Sequence, residues 1–337
     1  MFNDWNHVQR FAGEIRPVKV KVPGKLFVAG EYAVTRPGCQ AVVAAVDSDF
    51  DVAVWDSEDT LCTLQTNVGL ETLAFSPYDL FNLKKAEFQS DWGFAMAAVK
   101  RVFAEAGDNF ESNVDIVIHS ALGFGENKKG YGSSAAVVCG IVKALDKFFG
   151  LHWSLKKQFK IAAAAHYEVQ GSGSSGDIAA IIYGGVVFYR NSNVIWQFDS
   201  SDWETYVVTT GESVKTGQKL EEAALSDDFF DKSNDIVAEV SDAYHYADFD
   251  KFKQALQENQ QLLRENIPEG YVTEKLDFAL KAVNSHPRLA GKISGSGFGE
   301  NMIVFSNGAS QSEMDLLAQT LEQHGMKLEV LKIAPRN

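Results

Sequence analysis

The sequence predicts an α+β protein of two domains. The chain has 337 residues, past the size at which a single hydrophobic core stops growing. Strand-like and helix-like stretches come in mixed blocks without regular β-α alternation, which disfavours a doubly wound parallel sheet. The texture changes after about residue 203, where long helical patterns take over from short strands and glycine loops. The division drawn from these features is an N-terminal α+β domain over 1–203 and a C-terminal α+β domain over 204–337.

The elements follow in order. Residues 18–22 alternate valine with lysine, the pattern of a strand with one buried face, and Pro23-Gly24 interrupts it. Extended runs resume over 25–28, 41–46 and 51–55. Apolar residues at helical spacing predict a helix over 94–106, and 114–119 reads as a strand. A polar, glycine-rich loop over 123–134 leads into a long apolar helix over 135–149, then a second over 155–169. A Gly/Ser loop at 171–176 precedes a helix over 177–183 and a strand over 186–189. Residues 206–209 form a short strand, and helical patterns dominate 217–285. Strands over 290–293, 302–305 and 327–333, with a helix over 312–325, close the chain.

Composition excludes several function classes. A net charge of −14 argues against nucleic acid as the main partner, because a phosphate backbone needs a basic face. No apolar run approaches the ~18 residues of a membrane span. Residues 1–16 mix charged and polar types, unlike a secretory signal, so a soluble cytoplasmic protein is expected. Cys39, Cys62 and Cys139 are isolated and read as packed thiols rather than metal ligands. The seven histidines form no tight cluster. His166 and His286 read as helix-surface or cap residues, and none reads as catalytic. An anionic substrate would meet a repulsive long-range field, so its site must gather cations locally.

Four segments carry candidate chemistry. In Gly130-Tyr131-Gly132-Ser133-Ser134-Ala135, glycines let backbone amides approach a ligand. The helix starting directly behind aims its free N–H groups and positive dipole end into the loop, a ready anion site. Ser133 and Ser134 have the chemistry to cap that helix or to ligate a metal on bound phosphates. A capped helix behind a flexible loop is the plainer alternative. No G-x-x-x-x-G-K-[ST] occurs. Lys25, just after Pro23-Gly24, reads as a phosphate lysine or as a solvated surface cation. Ser294-Gly295-Ser296-Gly297, between two strands, reads as a loop or as a second cradle. Asp177, after Ser174-Ser175-Gly176, reads as a helix N-cap or as a functional carboxylate.

Taken in order, these segments resemble the motifs of the GHMP kinases, the family of galactokinase, homoserine kinase, mevalonate kinase and phosphomevalonate kinase. Residues 23–34 resemble the first motif, 130–136 the second and 292–299 the third. Tyr32, Arg36-Pro37-Gly38 and residues 173–179 resemble the phosphomevalonate kinases more than the mevalonate kinases, as do 230–233 and 259–263. Tyr131 stands where leucine is usual, and Phe298 where glycine is. The resemblance implies a two-domain α+β fold with the active site in the cleft between the domains. It implies ATP as co-substrate, Mg²⁺, and a phosphorylated small molecule as acceptor. Nucleotide would lie on Lys128, Gly130, Tyr131, Gly132, Ser133, Ser134 and Ala135, with Ser134 as the magnesium ligand. Lys25 and Asp177 would be catalytic. Lys25, Ser174, Ser175, Ser294 and Gly295 would contact the acceptor.

The role of Asp177 depends on that acceptor. An alcohol profits from a carboxylate base. A phosphomonoester, with a second pKa near ~6, arrives ionised, and Asp177 would then orient Lys25 or tune local charge. Mevalonate or another alcohol remains the alternative acceptor, and a non-catalytic nucleotide sensor on the same fold a second alternative. The sequence leaves oligomeric state open.

Overall fold

In the computed structural model, which describes residues 17–107, 112–122, 130–190, 193–199, 201–212, 225–299 and 301–337, the predicted strands and helices form with most ends within two residues of expectation. The first strands are β1 (Val18–Lys21), β2 (Gly24–Ala29), β3 (Gln40–Val46), β4 (Phe50–Asp56), β5 (Cys62–Thr66), β6 (Leu73–Phe75) and β7 (Val114–Ser120). The later ones are β8 (Val186–Arg190), β9 (Asn193–Phe198), β10 (Glu204–Thr209), β11 (Leu289–Ser294), β12 (Asn301–Ser306) and β13 (Lys327–Leu331). The helices are α1 (Pro77–Asn82), α2 (Gly93–Ala106), α3 (Ser133–Phe148), α4 (Leu155–Gln170), α5 (Gly176–Tyr183), α6 (Asp227–His245), α7 (Phe249–Asn266), α8 (Glu274–Asn284) and α9 (Gln311–Glu322).

The fold is the expected α+β, but the chain weaves between two units. One takes its described residues from Met1–Gly24, Ser48–Phe124 and Gly132–Gly173; the other takes them from Lys25–Asp47, Gly125–Tyr131 and Ser174–Asn337. The contiguous division at 203/204 follows chain order. The units instead follow the sheets, because β2 and β3 pair into the same sheet as β8 and β9.

The first unit is built on a sheet ordered β1-β4-β7-β5-β6, antiparallel except for the parallel β5–β7 pair. Helix α3 packs on β1 and β4, and against α2 and α4. It is buried on most sides, which explains its nearly continuous apolar sequence. Gly140 permits that approach: a Cβ there would lie 2.6 Å from Val52 and 2.9 Å from Val22.

The second unit holds two sheets, β2-β3-β8-β9 and β11-β12-β10-β13, joined by an isolated bridge between Val46 and Ile333. Helices α6 and α7 pack on each other, and α7 and α8 pack on β11. Every residue of β11 and β12 is buried, so these strands read as uninterrupted apolar runs with few exceptions. One exception, Lys292, becomes important below.

Strands β5, β6 and β9 and the short helix α1 are not expected from the sequence. In β5 the apolar positions are diluted by Thr63, Gln65 and Thr66. In β9 half the residues are exposed, Ile195 and Trp196 among them, so no buried face imposes an alternating pattern. The three cysteines are buried free thiols, as expected. Among the described residues no helix is long and apolar enough to cross a membrane.

Candidate active site

The loop before α3 is shaped by two left-handed glycines, Gly130 (φ 73°) and Gly132 (φ 76°). Gly132 occupies the N-cap position, and among the described residues no side chain caps the helix. Ser133 and Ser134 are already helical, one and two positions past the N-cap, so the capping role open to them in the sequence is not used. No acidic residue sits in the first turn. Among the described residues, the start of a 16-residue helix therefore presents amide N–H groups and positive dipole without a side-chain acceptor competing for them. Ala135 is buried beneath it.

Ser134 is half-buried, and its Oγ lies 3.2 Å from Nε2 of His166 on α4. His166 is 5% exposed and stacks on Phe94 with ring centroids 4.9 Å apart. The expectation of a surface or cap residue is thus corrected. Phe159, Ala162 and His166 share one buried helical stripe, and that periodicity was the available signal. Lys128 lies outside the described residues.

In the second unit, the backbone N–H of Lys25 donates to the carbonyl of Tyr131 at 2.9 Å, tying β2 to the glycine loop. Tyr131 packs against the apolar cluster of that unit, and burial, with a smaller effect of Glu329, pushes its phenol up to about 12. Lys25 Nζ sits 5.4 Å from the ring centroid of Phe27. Residues two apart share one face of a strand, and the Phe27 ring reaches within 3.5 Å of where a Cβ on Gly176 would lie. That face of β2 thus meets the start of α5.

The start of α5 is tightly wound. Ser175 adopts φ 61° at the N-cap position without a side-chain cap. Ser174 Oγ accepts from the Gly176 N–H at 3.2 Å, while the Tyr189 hydroxyl donates to the Ser174 carbonyl at 2.5 Å. Asp177 is not the N-cap; it is the second helical residue, half-buried, and its Oδ1 accepts from the Ile178 N–H at 2.9 Å. Among the described residues no ion pair joins Lys25 and Asp177 directly.

The third segment follows β11. Gly295, Gly297 and Gly299 all have positive φ. A Cβ on Gly297 would fall 2.2 Å from the Tyr271 ring, so only glycine fits there. The Phe298 N–H donates to the Tyr271 carbonyl at 2.9 Å, and the Tyr32 hydroxyl donates to the Ser296 carbonyl at 2.6 Å. Ser294 is 3% exposed, and its Oγ has no hydrogen-bond partner among the described residues. Two further residues were not singled out from the sequence. Glu31 and Lys292, 3% and 0% exposed, form a buried ion pair joining the first and third segments. Burial pulls the Lys292 ammonium below its ordinary range, and the Glu31 carboxylate opposes that shift. A lysine inside the otherwise apolar run 289–293 was the signal.

Comparison with known proteins places the chain in a family. The model for the GHMP kinases N terminal domain matches residues 93–185, and the model for the GHMP kinases C terminal matches 241–325, together just over half the chain. The chain belongs to the GHMP kinases. It is 32% identical over 187 residues to phosphomevalonate kinase from Streptomyces sp. (strain CL190), covering 52% of this chain and 50% of that protein. It is 22% identical over 311 residues to mevalonate kinase from Methanocaldococcus jannaschii, covering 88% of this chain and 94% of that protein. The fold matches the structure of Streptococcus pneumoniae phosphomevalonate kinase in complex with phosphomevalonate and AMPPNP. The TM-score is 0.80 at 19% identity, over 95% of this chain and all of that one.

Proposed function

We propose that the chain is an ATP-dependent phosphotransferase that passes the γ-phosphate to phosphomevalonate, giving diphosphomevalonate and ADP. The observation that carries the phosphotransferase reading is the start of α3, with no side-chain cap among the described residues, behind two left-handed glycines, a cradle suited to a polyphosphate. Phosphoryl transfer needs alignment and charge neutralisation more than covalent help. Amides at Gly130, Tyr131, Gly132, Ser133, Ser134 and Ala135 hold the nucleotide phosphates, and Lys128, two residues before the loop in sequence, is a further nucleotide contact. Lys25 offsets the charge that builds between donor and acceptor. Ser174, Ser175, Ser294 and Gly295 hold the acceptor, and the Ser294 hydroxyl, buried and without a hydrogen-bond partner among the described residues, suits a polar ligand.

Mg²⁺ takes one or two protein oxygens and otherwise phosphate and water, and the half-buried Ser134 hydroxyl at the helix start fits that demand. Bound there, the ion would neutralise charge on the phosphates. With a phosphomonoester acceptor the nucleophile is already ionised, and Asp177 acts by orienting Lys25.

The phosphomevalonate reading is supported by the 32% identity to the Streptomyces protein. One observation favours mevalonate instead: the likeness to the Methanocaldococcus protein spans far more of the chain. Coupled ADP release, measured in parallel with phosphomevalonate, mevalonate, galactose and homoserine, tests this. Turnover of phosphomevalonate alone is expected. Robust turnover of mevalonate with none of phosphomevalonate would replace the acceptor, and turnover of none would remove the phosphotransferase reading.

A further inference from the structure

The turn carrying Ser294 and Gly295 is fastened by a charge pair in a place where apolar residues would fill the space. The Lys292 Nζ donates to Glu31 Oε1 and to the Ile293 carbonyl at 2.5 Å. The same Glu31 oxygen accepts from the Gly295 N–H at 3.3 Å. Both side chains are nine-tenths or more buried, so each charge has lost its hydration, a large unfavourable term. An apolar pair of similar volume avoids that cost but offers Gly295 no acceptor.

We propose that Glu31 is a positioning residue for the 294–297 turn. Its carboxylate holds the Gly295 amide, and Lys292 holds the carboxylate. The turn therefore keeps one conformation, with the buried Ser294 hydroxyl held where no described residue pairs with it. Tyr32, next in sequence, grips the Ser296 carbonyl, so residues 31 and 32 together clamp both sides of the turn. Gln260 completes the support from α7 by accepting from the Ile293 N–H at 2.9 Å. This inference rests on the reading of Ser294 and Gly295 as acceptor contacts.

Two double variants separate positioning from bulk stability. E31L/K292M and E31Q/K292M both remove the buried charges, so neither strands one, and both are expected to melt near the parent. Only the glutamine keeps an oxygen that can accept from Gly295. In E31L/K292M, KM for phosphomevalonate should rise roughly tenfold, the loss expected for one hydrogen bond. AMPPNP affinity should hold. E31Q/K292M should recover acceptor KM to within about threefold of the parent. Amide hydrogen exchange over 290–299 should speed up in the leucine variant and not in the glutamine one. Should E31L/K292M fail to fold, E31A/K292M takes its place with the same expected readouts. Equal acceptor KM and equal exchange in the two doubles would overturn the inference. Exchange needs no acceptor, so it still decides the point if the parent turns over neither candidate substrate, a result that would instead remove the proposed function.

Discussion

The glycine segment at 130–135 and the one at 294–299 share a residue type and little else. The first ends at a helix start where no described side chain caps the amides. The second is closed on several sides: Glu31 holds Gly295, Tyr32 holds Ser296, and Tyr271 blocks any side chain at Gly297. Glycine serves the first as access and the second as fit. A glycine-rich string therefore says that a backbone comes close to something, and its neighbours decide whether that is a ligand or the protein itself.

The largest expected effect breaks the closed segment. Lys292→Met strands the Glu31 carboxylate in the core and should cost roughly 3–5 kcal/mol. Urea denaturation measures this, and an unchanged midpoint would show that the pair does not hold the segment. Next comes the charge beside the open segment. Lys25→Met should lower kcat roughly 10²–10³-fold, the usual scale for one transition-state donor, with a much smaller rise in KM. A near-normal kcat would return Lys25 to the role of a surface lysine.

A glycine pair sharpens the comparison further. Gly132 and Gly69 are both left-handed, and at Gly69 a Cβ would meet nothing within 4 Å. Valine at either position carries a backbone penalty of at least ~1–2 kcal/mol. Only Gly132→Val should weaken AMPPNP binding, by about tenfold or more, in a calorimetric titration. Equal affinities in the two variants would remove the loop from the nucleotide site.

The smallest effect compares helix starts. Unlike α3, α9 has a complete capping box between Ser310 and Glu313. The hydrogen bonds from the Ser310 backbone and hydroxyl, with His286 nearby, hold the Glu313 carboxyl down at about 2. A depressed carboxylate contributes stability that is present above its unfolded value and lost as pH falls through the folded one. The Glu313→Gln variant should therefore melt slightly below the parent at pH 6. The difference should shrink between about pH 4.5 and 2. A pH-independent difference would mean the charge plays no part.

Much of this was legible in the sequence because apolar period and glycine punctuation are local. The strands over 18–22 and 51–55 and the helix over 94–106 follow from pattern alone. The woven units were not legible, because the pairing of β3 with β8 is non-local and no period records it. Asp177 shows the limit at a site. Its place near a helix start was readable, but the left-handed Ser175 that moves the N-cap two residues earlier was not. The Glu31–Lys292 pair needed two positions 261 apart to be brought together. His166 needed a neighbour on another helix.

The central claim is that the acceptor arrives ionised, so that Asp177 orients charge and does not remove a proton. The pH profile of kcat/KM in the parent and in Asp177→Asn, with phosphomevalonate as acceptor, tests it most directly. The claim predicts a low-pH limb near ~6 in both proteins, following the substrate phosphate. It would be contradicted if the variant lost that limb together with about 10²–10⁴ in rate, the signature of a missing general base.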